Sequence, residues 1–445
     1  METALKTVAL ICVAASCLFT ACDSDLALSA STFTVGGTVS GLTGSNLVLQ
    51  YVAGNNVSSS LTISSNGSFA FAPHAPNGTT YSVSIESQPV NPAQSCTLSN
   101  GSGTLAGSDV TNVIVNCAPT TRFAYVANKL SNNISVYTIS SAGGLTPIAG
   151  SPFVSTGNQP DAVWVGPSGN FLYVANSASN DLSIFSINTG TGLINPLGTV
   201  PTGVAPYGIV VDPTGSYLYV SNNSSNDISG YAINASSGAL TELSGSPFRV
   251  GVAPTSLKTD PSGQFLYVAN FGSDSVSVLQ LDSSTGALSD AAGSPFAAGV
   301  GPISIAIDPT GAFAYVANQS AATISEYSIN SSTGALTAIT TPLATQSSPT
   351  SLAIAGGSLI VTNVTQADNV GTFAIAGTGV LSFSGMTQSG GSPVGLTLDP
   401  SGQFAYVACE GTNNVFVYTV SGGALTPAAP LSVTAGTGPV SIAIN

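Results

Sequence analysis

The chain has 445 residues, with 5 Lys or Arg against 19 Asp or Glu, and a formal charge of -14 at pH 7. With so few cations it has no electrostatic means of gripping a nucleic-acid backbone or an anionic membrane surface. A hydrophobic content of 43% excludes a disordered chain, and polarity comes from Ser, Thr, Asn and Gly more than from ions.

At the N-terminus, Lys6 precedes an apolar run from Val8 to Phe19. The run is too short to span a bilayer and suits the core of a signal peptide. It ends in Leu18-Phe19-Thr20-Ala21-Cys22, followed by polar Asp23-Ser24-Asp25. This segment resembles the lipobox of bacterial lipoproteins, although Phe19 stands where that motif has Leu. The resemblance implies cleavage before Cys22 and lipidation of that cysteine, with Cys17 the alternative. Residues 1–22 are expected to be the signal peptide and 23–33 a linker. The protein is then exported, as a lipoprotein in the periplasm or on the outer surface of a bacterium, or after ordinary signal cleavage.

Residues 34–117 carry short alternating segments such as Leu47-Val48-Leu49, Leu61-Thr62-Ile63, Phe69-Ala70-Phe71 and Tyr81-Ser82-Val83-Ser84-Ile85. Turn signals separate them: Gly36-Gly37, Asn66-Gly67 and Asn77-Gly78. This spacing predicts a small β-sandwich. It resembles the immunoglobulin-like or prealbumin-like accessory domains of exported bacterial proteins. Cys96 and Cys117 are expected to pair after export. Their separation of 21 residues closes a loop worth about 3 kcal/mol in the chain-entropy model. His74, the only histidine, lies between Pro73 and Pro76 with no partner for acid–base or metal chemistry, so no metal site is expected.

From residue 118 to 445 one motif recurs. It reads Phe123-Ala124-Tyr125-Val126-Ala127-Asn128, then starts again at Phe171, Tyr217, Phe265, Phe313, Ser358 and Phe404. The steps between copies are 45 to 48 residues, a period of propeller blades. Each unit opens on Pro and an alternating strand. An Asp-Pro-Ser/Thr-Gly turn follows, as at Asp212, Asp260, Asp308 and Asp399; Pro fixes φ and Asp caps the turn. The aromatic-x-Tyr-Val-Ala-Asn strand comes next, then a third strand and a Gly-Ala-Leu-Thr type segment. The first unit lacks its opening strand, and the chain finishes on one without a blade, Pro439-Val440-Ser441-Ile442-Ala443-Ile444. The expected fold is therefore all-β: a seven-bladed propeller closed by its C-terminal strand in the first blade, which removes exposed edges.

These units resemble the lactonase-like, or 6-phosphogluconolactonase-like, propellers and the YVTN-repeat propellers of exported and surface-layer proteins. The resemblance implies a ligand site at the mouth of the central channel. The residues after each opening Pro are expected to ring it: Asp161, Tyr207, Thr255, Ile303, Thr350, Val394 and Val440. The next tier inward is expected to be Trp164, Val210, Lys258, Ala306, Ala353, Thr397 and Ala443, with Lys129 and Glu410 added from the loops after the second strands. Lactone hydrolysis needs a base for water and a cation or donors for the oxyanion. The propeller has no histidine, and its cations are Arg122, Lys129, Arg249 and Lys258. Asp161 and Lys258 are the candidate catalytic pair. Asp161, Trp164, Tyr207, Lys258, Lys129 and Glu410 form the candidate binding set. With so thin a catalytic set, the leading expectation is a monomeric binding or scaffold module at the cell envelope, without cofactor, taking a small molecule, a glycan or an envelope protein. The alternatives are a lactonase acting on a neutral or weakly charged lactone, and a structural surface-layer or matrix component.

Overall fold

The computed structural model describes residues 31–54, 57–89, 94–119, 121–345, 347–364 and 368–445. The signal peptide and the two candidate lipidation sites, Cys17 and Cys22, lie outside the described residues, as does most of the 23–33 linker. The chain divides into two compact units, residues 1–119 and 120–445.

In the first unit two four-stranded sheets share one core. One runs in the order 67–70, 35–40, 110–119, 94–99; the other runs 57–63, 47–53, 80–87, 102–104. Alternation sets which side chains enter: Leu47, Leu49, Tyr51 and Ala53 point in and meet Val35, Val39, Val113 and Val115 from the facing sheet. Strand 110–119 pairs in parallel with 35–40. Cys96 and Cys117 sit opposite each other on neighbouring antiparallel strands and are joined as a disulfide.

The second unit is seven antiparallel sheets. In blade two the strands from inside outward are 160–165, 171–176, 181–187 and 194–201. Blade one consists of 439–444, 122–128, 133–139 and 145–147, so its innermost strand is the C-terminal one. The inner strands touch in sequence, and 439–444 touches both 393–398 and 160–165, which closes the ring. Second strands have blades on both sides, so 171–176 and 265–270 are buried from end to end and show no polar alternation. In blades one and three to five the outermost strand is broken into two short pieces, 145–147 with 153–154, 240–242 with 248–249, 288–290 with 296–297, and 336–338 with 343–344.

The repeated residues are joints. The Asn that closes the first six motifs is buried, and its side-chain amide donates to the third strand, as from Asn176 Nδ2 to Asp181 Oδ1 at 2.7 Å and to Ser183 Oγ at 2.8 Å. The motif tyrosine reaches the next blade, as Tyr219 Oη donates to the Gly286 carbonyl at 2.7 Å. The closing contact is Tyr406 Oη to the Gly143 carbonyl at 2.9 Å, from blade seven to blade one. The turn aspartates are buried, and Asp212 Oδ1 accepts the Ser216 and Tyr217 amides at 2.8 and 2.7 Å.

Candidate functional site

Each inner strand begins with the same irregularity. Pro160 pairs with Asn176 but Ala162 pairs with Ala175, so Asp161 is bulged out of the ladder. The same slip releases Tyr207, Ile303, Thr350, Val394 and Val440. A bulge re-aims a side chain that the pleat would otherwise bury. These six bulged residues line a cavity of about 320 Å³ at one end of the channel. Blade four has the same one-residue slip, its ladder resuming at Leu257. There Thr255 turns into the wall, where its hydroxyl donates to the Ala269 and Pro302 carbonyls at 3.1 and 3.2 Å, and Ser256 takes its place in the lining. The expectation that Thr255 belongs to the ring is corrected accordingly.

The second tier also needs correction. Trp164, Lys258 and Thr397 line the mouth. Val210 and Ala443 are buried between blades. Ala306 and Ala353 line a second cavity, of about 350 Å³, towards the other end. The two cavities share Lys258, Leu396 and Thr397, so Lys258 stands at the waist of the channel. The inner strand presents its edge to the channel and its two faces to adjacent blades, which is why a simple count of alternate residues fails here.

All six residues of the candidate binding set line the mouth: Lys129, Asp161, Trp164, Tyr207, Lys258 and Glu410. Their pairing differs from the expected one. Asp161 is held by Lys129 at 2.7 Å, across the junction of blades one and two, and not by Lys258. Lys258 lies over the ring of Trp164, with Nζ 5.6 Å from the centroid, a cation–π contact. No carboxylate among the described residues forms an ion pair with it, and burial lowers its pKa. Tyr207 keeps 37% of its surface open and lines the mouth. Desolvation there, with help from Asp161 and Glu410, pushes its pKa up to about 12, so the phenol keeps its proton.

Much of the remaining lining polarity is already committed. Ser441 Oγ accepts the Val163 amide at 3.2 Å, Ser304 Oγ the Leu352 amide at 3.1 Å, and Ser256 Oγ the Ile305 amide at 3.3 Å. These bonds stitch adjacent inner strands together. Of the other cations, Arg122 binds Asp399 at 2.7 Å across the blade seven to blade one junction, and Arg249 is exposed on an outer strand. Among the described residues no cluster of His, Cys, Asp or Glu is arranged to hold a metal ion, and His74 is exposed on the first unit. What the mouth offers chemically is one desolvated ammonium, one carboxylate without an ion-pair partner (Glu410), one neutral phenol and an indole face.

A family model described as "Lactonase, 7-bladed beta-propeller" matches residues 79–254 and again 253–438. None of the curated proteins compared matches the sequence. Among solved structures, a candidate 6-phosphogluconolactonase from Bacteroides fragilis is 20% identical with a TM-score of 0.65, covering 73% of this chain and 98% of its own. The periplasmic gluconolactonase of Pseudomonas aeruginosa is 20% identical with a TM-score of 0.63, over 73% and 98%. A Lactobacillus plantarum protein is 22% identical at 0.63, over 73% and 99%. At these identities the likeness establishes the fold. The family match favours the hydrolase alternative over the binding-module and surface-layer expectations.

Proposed function

The chain belongs to the seven-bladed β-propeller lactonase family, and from that premise we propose that it hydrolyses a lactone at the channel mouth. One observation carries the reading beyond the family: the mouth combines a desolvated Lys258 without an anionic partner with a carboxylate, Glu410, that has no cation of its own. Water adds to the acyl carbon while Glu410 takes its proton, and the charge arising on the carbonyl oxygen faces Lys258. Collapse breaks the acyl C–O bond. The released alkoxide recovers a proton from Glu410, with the Tyr207 phenol as donor beside it, and the product is a hydroxy acid. In this scheme Asp161, neutralised by Lys129, positions the rim and is not the base.

The acid product ionises near pH 7, so a pH-indicator assay on a lactone panel follows turnover. Lys258→Met and Glu410→Gln are each expected to lower kcat/KM by about a hundredfold. Asp161→Asn is expected to cost about tenfold or less. No turnover on any lactone, or wild-type rates in both Lys258→Met and Glu410→Gln, would sink the proposal.

We propose in addition that the protein works outside the cytoplasm, anchored through Cys22. The Cys96–Cys117 disulfide supports export, because such bonds persist in oxidising compartments. Mass spectrometry of membrane fractions should find a diacylated Cys22, and Cys22→Ala should move the protein to the soluble fraction. A protein recovered soluble with Cys22 unmodified speaks against the anchor.

A further inference from the structure

The mouth has two unlike halves. Glu410, Lys129 and Asp161 come from blades seven, one and two, so all of its ion-pairing chemistry lies on one side. Across the channel, blades three, four and five present Val204, Val252 and Val300, each two residues before the opening Pro of its inner strand. They are 52%, 53% and 55% exposed. At the same position blades six, seven, one and two carry Ser347, Gly391, Thr437 and Asn158. Tyr207 carries the apolar arc down to the lining, and Lys258 of blade four lies below its middle. A single exposed valine needs no explanation, but three on consecutive blades, on the loops that enter the inner strands, make an apolar arc, against which the other side sets one exposed aliphatic, Leu130 beside Thr437.

The same face discourages anions. Around the mouth and its loops stand Asp161, Asp181, Asp227, Asp274, Asp368 and Glu410, against Lys129 and Lys258. Lys129 is already neutralised, and Arg122 and Arg249 are elsewhere. A phosphate dianion is held by converging Arg and Lys donors, and no such set is present among the described residues of the mouth.

Resting on the lactonase reading, we infer that the substrate is an uncharged lactone bearing an aliphatic substituent. The ring lies between Glu410 and Lys258, and the substituent lies over Val204, Val252 and Val300. Phosphorylated lactones are excluded by charge.

The only tryptophan of the chain, Trp164, lines the mouth, so its fluorescence reports binding whether or not turnover follows. The full chain is titrated with γ-lactones whose side chain grows from methyl to hexyl, with the matching lactams as unreactive analogues. Glucono-δ-lactone and its 6-phosphate are titrated in parallel. Affinity should rise about twofold per added methylene, a partial share of full burial. The 6-phosphate should bind at least about tenfold more weakly than its parent. In the Val204→Ser, Val252→Ser, Val300→Ser triple variant, the hexyl-to-methyl affinity ratio should collapse by about tenfold. A flat chain-length series in the wild type, or a 6-phosphate that binds as tightly as its parent, overturns the inference. Chain-length-dependent binding without hydrolysis would instead retire the lactonase reading and leave the recognition surface standing.

Discussion

Glu326 is a carboxylate where the other blades use neutral side chains. It lies opposite Tyr315 on a third strand, at the position of Val136, Ile184, Gly230, Val278, Thr372 and Val417. It is 2% exposed, with the Thr340 hydroxyl at 3.2 Å and the Leu381 amide at 3.4 Å as donors, and no cation beside it. Burial raises its pKa against the smaller opposing pull of those two bonds. The folded protein therefore holds this proton to higher pH than the unfolded chain, whose glutamates titrate near about 4.3. Between the two values the native state binds more protons, so stability falls as pH rises through that window and stays lower above it. Glu326→Gln removes the titration. Its Tm should exceed that of the parent at pH 8 and differ less at pH 4. An unchanged Tm difference across that range would show that Glu326 is not the group responsible. Cys409 is the opposite case, a free thiol that burial keeps protonated. It stands at the motif's Asn position, is fully buried, and burial pushes its thiol up to about 12, so it is inert.

At the level of the element, the joint between blades decides which residues recur. Gly286 has φ +73°, and a Cβ there would lie 2.4 Å from the Tyr217 ring of the preceding blade, while its carbonyl takes the Tyr219 hydroxyl. The same contact recurs between Gly238 and Phe171, Gly334 and Phe265, and Gly192 and Phe123. Gly286→Ala adds overpacking to left-handed strain and should cost about 2–4 kcal/mol. Gly402→Ala, at φ +68° with nothing within 4 Å of the added carbon, should cost only the strain, about 1 kcal/mol. Equal losses of Tm in the two variants would refute the joint. The repeat itself was legible, because Phe-x-Tyr-Val-Ala-Asn and Asp-Pro-Ser/Thr-Gly are local and strongly patterned. The joint was not, since Tyr219 and Gly286 are 67 residues apart. The bulge was half legible. Counting from the opening Pro found Asp161 and Tyr207, but it misplaced Thr255, whose hydroxyl bonds carbonyls of the wall, one of them in the next blade. The Lys129–Asp161 pairing was likewise hidden, because both residues were visible as candidates but only the meeting of two blades brings them together.

For the whole molecule, closure converts seven weakly independent sheets into one unit and also completes the site. The terminal strand Pro439–Ile444 contributes Val440, Ser441 and Ile442 to the mouth. Ser441 accepts the Val163 amide from blade two, and Asn445 Oδ1 accepts the Phe123 amide at 2.6 Å. Arg122–Asp399 and Tyr406–Gly143 lock the same junction from the blade seven side. Deleting residues 439–445 uncovers the inner edge of strand 122–128, which then keeps only its outer ladder to 133–139. An open edge of that kind recruits other chains. The shortened protein should elute as oligomers in size-exclusion chromatography, melt at least about 10 °C lower or without cooperativity, and lose the Trp164 response to lactones. Adding a peptide of residues 436–445 should restore the parent's elution volume and the fluorescence response together, because strand and site are one element. Arg122→Ala, which keeps the strand and removes only the ion pair, should cost about 3 kcal/mol by leaving the Asp399 carboxylate buried without its cation. A shortened chain that elutes as the parent does, with an unchanged Tm, would mean that the ring is held by the blade joints alone, and that closure by the terminal strand is dispensable.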